Sequence, residues 1–258
     1  MNEVGMGLLY EDEAPAYELL REAGKSPFLL TADHAGRLVP RALEGLGVPQ
    51  AEMDRHIAWD IGISGVTRRL SEILDATAIL QNYSRLVIDC NRDPGWISAF
   101  PVVSETTTVP GNEKLDEIAR AARRMAIFNP YHEEIGRLIS TRPRSVYVAM
   151  HSFTPIFLKQ PRLMQVAVLY NRNPRLSKIL ADLLRAEGGL IVEENAPYRV
   201  SDETDYGVPV HAERNGLDYL EIEIRQDLIA DEVGQSEWAA RLSRLLPEAL
   251  KLMDGAAV

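Results

Sequence analysis

Along the chain, short apolar runs closed by turn-forming residues alternate with longer stretches in which apolar side chains recur every three or four positions. The first pattern has the period of a strand and the second that of a helix. Together they predict strands over residues 28–32, 76–80, 85–88, 145–150, 164–170, 190–192 and 219–224, and helices over 64–74, 114–138, 175–186 and 237–253. The second of these helices is interrupted at Asn129-Pro130, where a missing N–H removes a helical hydrogen bond, and the last contains Pro247. Such alternation implies an α/β fold: one mixed, mostly parallel sheet with helices on both faces. Two long stretches with neither period, 93–112 and 195–216, are expected to be loops bordering a cleft.

A chain of 258 residues suffices for one large domain of this class, and no Ser- or Gly-rich linker divides it, so a single domain over 1–258 is expected. The formal net charge of −10 and the lack of a basic run argue against a nucleic-acid partner, whose phosphates demand Lys and Arg. No apolar run approaches membrane-spanning length, so no membrane partner is expected, and the N-terminal stretch lacks the basic start and apolar core of a secretory signal. A lone cysteine, Cys90, has no partner for an internal disulfide, which fits the expectation of a cytoplasmic protein.

Candidate chemistry lies where the strands end, because ligands of open α/β sheets bind beyond the carboxyl ends of the strands. FLLTADH closes on Asp33 and His34, VYVAMHS on His151 and Ser152, and RLVIDCNR on Asp89, Asn91 and Arg92. Two histidines at the ends of separate core strands suit a metal site assembled from distant ligands, and a catalytic zinc takes about three protein ligands. Neither an HExxH helix nor a CxxC pair is present, so this signal is positional rather than local.

YLEIEIR alternates, with Glu221, Glu223 and Arg225 on one side. The plainer reading is a half-exposed strand with a solvated charged face; the functional one makes Glu223 a general base. In SRLVIDCNRDP, Arg85 and Arg92 are candidates for binding a carboxylate through two parallel hydrogen bonds, and Asn91 could add an amide donor. An internal network of Arg85, Asp89, Arg92 and Asp93 is the competing reading. Cys90 could be a thiol nucleophile paired with His151, yet a buried cysteine more often packs as a small hydrophobe.

Taken together, the segments TADHAGRLVP, HIAWDIGIS, SRLVIDCNRDP, VPGN, NPYH, MHSFTP, VLYNRN, ENAPY and EIEIRQDLI resemble, in order, those of the N-formylglutamate amidohydrolase family. The likeness spans residues 28–229, and SRLVIDCNR and HSFTP carry most of it. It implies a zinc-carboxypeptidase-like α/β fold, distantly similar also to aspartoacylase-type deacylases, with one zinc ion at the strand ends. By the same resemblance, His34 and His151 are metal ligands and Glu223 is the general base. Arg85 then polarises the scissile carbonyl, while Asn91, Arg92 and Ser152 bind substrate.

Carboxypeptidase-like enzymes take a further ligand from a glutamate three residues after the first histidine, but here that residue is Arg37. Asp60, in the hallmark segment HIAWDIG, is the preferred replacement, with Asp33 and His56 as alternatives; an Asp60 that merely caps the following helix is equally open. The implied reaction is hydrolysis of N-formyl-L-glutamate, or a related small N-acyl amino acid, to formate and glutamate. A deacylase for another N-acyl amino acid or short peptide, and a non-catalytic metabolite-binding relative, are the alternatives. Arg37, Arg162, Arg172 and Arg199 are each candidates to bind a second substrate carboxylate.

Overall fold

The computed structural model describes residues 7–142 and 144–255. Its central sheet contains β1 (Tyr17–Leu20), β2 (Phe28–Ala32), β3 (Thr77–Gln81), β4 (Val146–Phe153), β5 (Val166–Leu169), β6 (Val192–Glu194) and β7 (Tyr219–Arg225). They lie in the order β1-β3-β2-β4-β7-β5-β6. β3, β2, β4 and β7 are mutually parallel, as are β5 and β6, while β1 against β3 and β5 against β7 are antiparallel. The expected mixed, mostly parallel α/β sheet is therefore present. Every residue of β2 and β4 is buried, as strands covered on both faces require.

Helices cover both faces. On one side lie α1 (Ile63–Leu74), α4 (Arg175–Ala186) and α5 (Glu232–Gly255). In α1 the buried residues are Ile63, Val66, Thr67, Leu70 and Ser71, a single helical stripe, and it meets Leu30, Val148 and Ile222 of the sheet in one apolar core. On the other side, Leu29, Ile79, Tyr147 and Tyr219 share a core with Tyr131, Ile135 and Leu138 of α3 (Asn129–Thr141), which α2 (Glu117–Arg123) precedes. Five residues of π-helix, Arg124–Phe128, join these two, and the Asn129 N–H bonds to the Arg124 carbonyl. The wider turn carries the helix into Pro130 without a break. Among the described residues no helix is long and apolar enough to cross a membrane.

The predicted strand over 85–88 is a turn. The Val87 N–H returns to the Ser84 carbonyl at 2.9 Å, and Ser84 Oγ accepts the Leu86 N–H at 3.1 Å. Leu86, Val87 and Ile88 are as buried as strand residues would be. Their backbone is satisfied differently: Asn112 Nδ2 donates to the Leu86 carbonyl and the buried Arg123 donates to the Val87 carbonyl, each at 2.8 Å. Apolar runs report burial, and here side chains supply the hydrogen bonds that a neighbouring strand would have made. β1 escaped the sequence pattern because its four residues are only half-buried at the edge of the sheet.

Candidate active site

β2, β4 and β7 are adjacent and parallel, so their carboxyl ends open at one edge of the sheet. Asp33 and His34 follow β2, His151 lies on β4, and Glu223 on β7 stands opposite His151 in register. A cavity of about 290 Å³ at this edge is lined by His34, Asp60, Arg85, Asn91, Arg92, His151, Ser152, Glu221 and Glu223 among others. His34, Asp60, Arg85, Asn91, Arg92, His151, Ser152 and Glu223, the residues given metal-binding, catalytic or substrate-binding roles in the sequence reading, thus all border one cavity.

At its centre one Asp60 carboxylate oxygen lies 3.0 Å from His151 Nδ1 and 3.6 Å from His34 Nδ1, and all three side chains are buried. Donor atoms about 2.0–2.1 Å from a tetrahedral zinc would lie about 3.3 Å apart, so these separations bracket that expected at a metal. His34 Nδ1 is buried without a hydrogen-bond partner, as a nitrogen kept for a metal should be. The two-histidine, one-carboxylate donor set therefore fits a single zinc ion.

Asp60 is held in place by backbone. Its N–H donates to the His34 carbonyl at 2.9 Å, and its carboxylate accepts the Ser152 N–H at 3.2 Å. The Ser152 hydroxyl donates to the Ile61 carbonyl at 3.0 Å. Gly62, which precedes α1 at φ +83°, lies so close to the Ile229 carbonyl that a Cβ would be 2.0 Å from its oxygen. Asp60 does not cap α1, whose cap position is Gly62 with no side-chain bond. Of the alternative ligands, Asp33 lies beyond the far nitrogen of His151, and His56 faces Glu105; neither joins the group.

Further carboxylates orient the histidines. Asp89 accepts from His34 Nε2 at 2.8 Å, from Arg85 Nη2 at 2.7 Å and from the Asn91 N–H at 2.9 Å. A proton on Nε2 leaves Nδ1 as the lone-pair nitrogen, the carboxylate–histidine–metal arrangement. On the other side, His151 Nε2 and Asp33 Oδ2 face each other at 3.8 Å, neither with another partner, while Tyr131 donates to the second Asp33 oxygen at 2.6 Å.

Burial opposes charge on every one of these groups, and the neighbours decide the outcome. Burial and Arg85 work against protonation of His34, but Asp89 and Asp60 outweigh them and its pKa is raised. Burial likewise opposes charge on Asp60 and Asp89; the histidines outweigh it for Asp60, and Arg85 with His34 for Asp89, so both carboxyls are lowered. Glu223 has no such rescue: burial pushes it up to about 7, against the pull of His151. One of its oxygens is buried without a partner. The strand YLEIEIR is therefore not half-exposed, since Glu221 and Glu223 are both buried.

The remaining candidates separate by what they touch. Arg85 spans Asp89 and, at 3.6 Å, Asp60, with a quarter of its side chain exposed. Arg92 bonds the carbonyls of Asn91 and Thr204 and approaches Asp205 at 3.7 Å. Asn91 is occupied with the wall: its side-chain Oδ1 accepts from the N–H groups of Tyr206 and Gly207, and its Nδ2 donates to Asp205. Of the four other arginines, only Arg199 borders the cavity. Arg37 and Arg172 are paired with Asp54, and with Asp202 and Glu213, while Arg162 stacks over Phe157 and Tyr198. The loop over 195–216 lines the cavity, as expected, whereas the loop over 93–112 only touches it indirectly, through Glu105 against His56. Cys90 is buried, 3.5 Å from Gln81 Nε2, and burial pushes its thiol well up, which removes the thiolate a nucleophile needs.

Fold and donor set define a class: an α/β protein with a site suited to one divalent metal at the carboxyl edge of its sheet. Residues 26–230 match the family model of N-formylglutamate amidohydrolase, and the chain belongs to that family of amidohydrolases. Among solved structures, the gene product Atu2144 from Agrobacterium tumefaciens is 37% identical, with a TM-score of 0.91 over 96% of this chain and 99% of that one. An N-formylglutamate amidohydrolase from Ralstonia eutropha shares the fold at 18% identity, with a TM-score of 0.65 over 94% of this chain and 100% of that one. No curated protein matches the sequence.

Proposed function

We propose that this protein is a zinc-dependent amidohydrolase of small N-acyl amino acids, with N-formyl-L-glutamate as the reference substrate that its family name supplies. The observation that carries the reading is a single cavity in which the His34, Asp60 and His151 donors share space with Glu223, a buried glutamate with an unpartnered oxygen. When bound by those three residues, zinc supplies a Lewis acid that polarises a carbonyl and lowers the pKa of water toward about 7. Glu223 is the general base. A carboxyl whose pKa is near neutrality can take a proton from the attacking water and return it to the leaving amine.

Arg85 faces the developing oxyanion. It stays charged beside Asp89 and Asp60, and a preorganised donor of this kind is worth about 3–4 kcal/mol of transition-state stabilisation. Arg92 receives the substrate α-carboxylate. Asn91 and Ser152, substrate contacts in the sequence reading, border the cavity and also hold residues 205–207 and Asp60.

The test is formate release from N-formyl-L-glutamate and other N-formyl amino acids by zinc-loaded protein, with Glu223→Gln and a chelated preparation beside it. Glu223→Gln should lose about 10²–10⁴-fold in kcat. Undiminished activity in either comparison would refute the mechanism. Ligand binding without turnover would instead favour the metabolite-binding reading.

A further inference from the structure

Three arginines border the cavity: Arg85, Arg92 and Arg199. Two are committed to the protein. Arg85 is held by Asp89 and Asp60, and Arg92 by the carbonyls of Asn91 and Thr204 and by Asp205. Arg199 is exposed, and among the described residues no hydrogen bond, ion pair or aromatic ring engages its guanidinium. With 38 acidic residues against 28 basic ones in the chain, this guanidinium does not lack a carboxylate for want of supply.

The backbone that carries Arg199 is braced on both sides. Before it, Asn195 Oδ1 accepts the Tyr170 N–H at 2.9 Å; after it, Val200 is buried in the core and the Ser201 N–H donates to Asp205 at 3.0 Å. Its neighbour Tyr198 also lines the cavity, and the Tyr198 hydroxyl accepts from Arg162, whose guanidinium lies over the rings of Phe157 and Tyr198. Arg162 is thus occupied within the wall, whereas Arg199 is presented at it. A donor on a fixed backbone loses less freedom when it binds an anion.

The cavity does not neutralise this charge by itself. Asp60 and Asp205 are met by Arg85 and Arg92, and burial pushes the carboxyls of Glu221 and Glu223 up toward their neutral forms. An unpaired guanidinium at the wall of a binding cavity calls for an anionic ligand, and a carboxylate matches it through two parallel hydrogen bonds.

We propose that Arg199 is the specificity residue of the site: its guanidinium binds the side-chain carboxylate of the substrate, while Arg92 holds the α-carboxylate that every N-acyl amino acid carries. This rests on the amidohydrolase reading and narrows it to acidic N-acyl amino acids. It also assigns the discrimination to one side chain.

The test compares N-formyl-L-glutamate with N-formyl-L-glutamine, which has nearly the same shape but a neutral amide in place of the side-chain carboxylate. Steady-state kinetics are measured on zinc-loaded full-length protein: wild type, Arg199→Gln and Arg92→Gln. Wild type should favour the glutamate substrate by about tenfold or more in kcat/KM, since a site built for one polar group discriminates strongly against its absence. Arg199→Gln should bring the two substrates close to parity, mainly by raising KM for the glutamate one. Arg92→Gln should weaken both together and keep their ratio, because both carry the α-carboxylate. The thermal midpoint of Arg199→Gln should match wild type, since no partner is left unpaired. A wild type without the preference overturns the proposal, and that result needs no variant to fold. So does an Arg199→Gln that keeps the wild-type ratio, or one that melts early and loses both substrates alike, which is the mark of a structural role. If nothing is hydrolysed, the amidohydrolase reading fails by itself. Calorimetric binding of L-glutamate and L-glutamine then decides this one: tighter binding of L-glutamate that Arg199→Gln abolishes upholds it, and any other ranking overturns it.

Discussion

Replacing Asp89 by asparagine isolates the residue on which the two halves of the site depend. Its two oxygens accept from His34 Nε2, from two guanidinium nitrogens of Arg85 and from the Asn91 backbone, all in a buried setting. Asp89→Asn keeps the shape, removes the negative charge and turns an N–H₂ group toward donors. Breaking one partner out of a buried charged network costs about 3–5 kcal/mol, because the guanidinium left behind is uncompensated. In a domain of this size that lowers the melting temperature of the metal-free protein by roughly 10 °C. Losing the acceptor that orients His34 should also weaken zinc binding about 10–100-fold. Thermal unfolding of metal-free protein reads the first effect, and competition with a chromophoric chelator reads the second. A variant that unfolds within about 1 kcal/mol of wild type and holds zinc equally well would show that Asp89 neither balances Arg85 nor orients His34.

Arg123 is a buried guanidinium that donates to the Val87 and Gly111 carbonyls and to Asn112 Oδ1, so Arg123→Met leaves three acceptors unpaired. A loss of about 3–5 kcal/mol in urea unfolding is expected, and a neutral result would contradict the role of Arg123 in holding the turn at Ser84. Cys90→Ala should retain full hydrolytic activity and lose only about 1 kcal/mol of stability, whereas an inactive variant would restore the thiol as a participant. Burial and Arg214 depress His211 to about 4, and it lies 2.8 Å from the equally buried His132. Its unfolded form titrates near 6.5 and binds the extra proton below that, so its contribution is complete above pH 6.5 and is lost as pH falls toward 4. That is about 3 kcal/mol. Urea unfolding at several pH values should show a shallower acid slope for His211→Gln, and parallel slopes would rule this out.

The sequence alone determined the alternation of strands and helices, because burial on one or both faces imposes a period that composition cannot hide. It also pointed to most of the site. His34 and His151 end apolar strands, and only polar residues with work to do interrupt such runs at a sheet's ligand edge. Periodicity could not separate a buried turn from a strand at residues 85–88, since Asn112 and Arg123 provide the missing hydrogen bonds from far along the chain. Nor could it tell that Glu221 and Glu223 are buried, because a charged alternating face looks the same whether it meets water or the wall of a cavity. The tertiary structure alone decided that Asp60, rather than Asp33 or His56, meets the two histidines. That choice depends on a turn pinned between the His34 carbonyl and the Ser152 N–H, two backbone groups more than a hundred residues apart in sequence but adjacent once β2 and β4 pair.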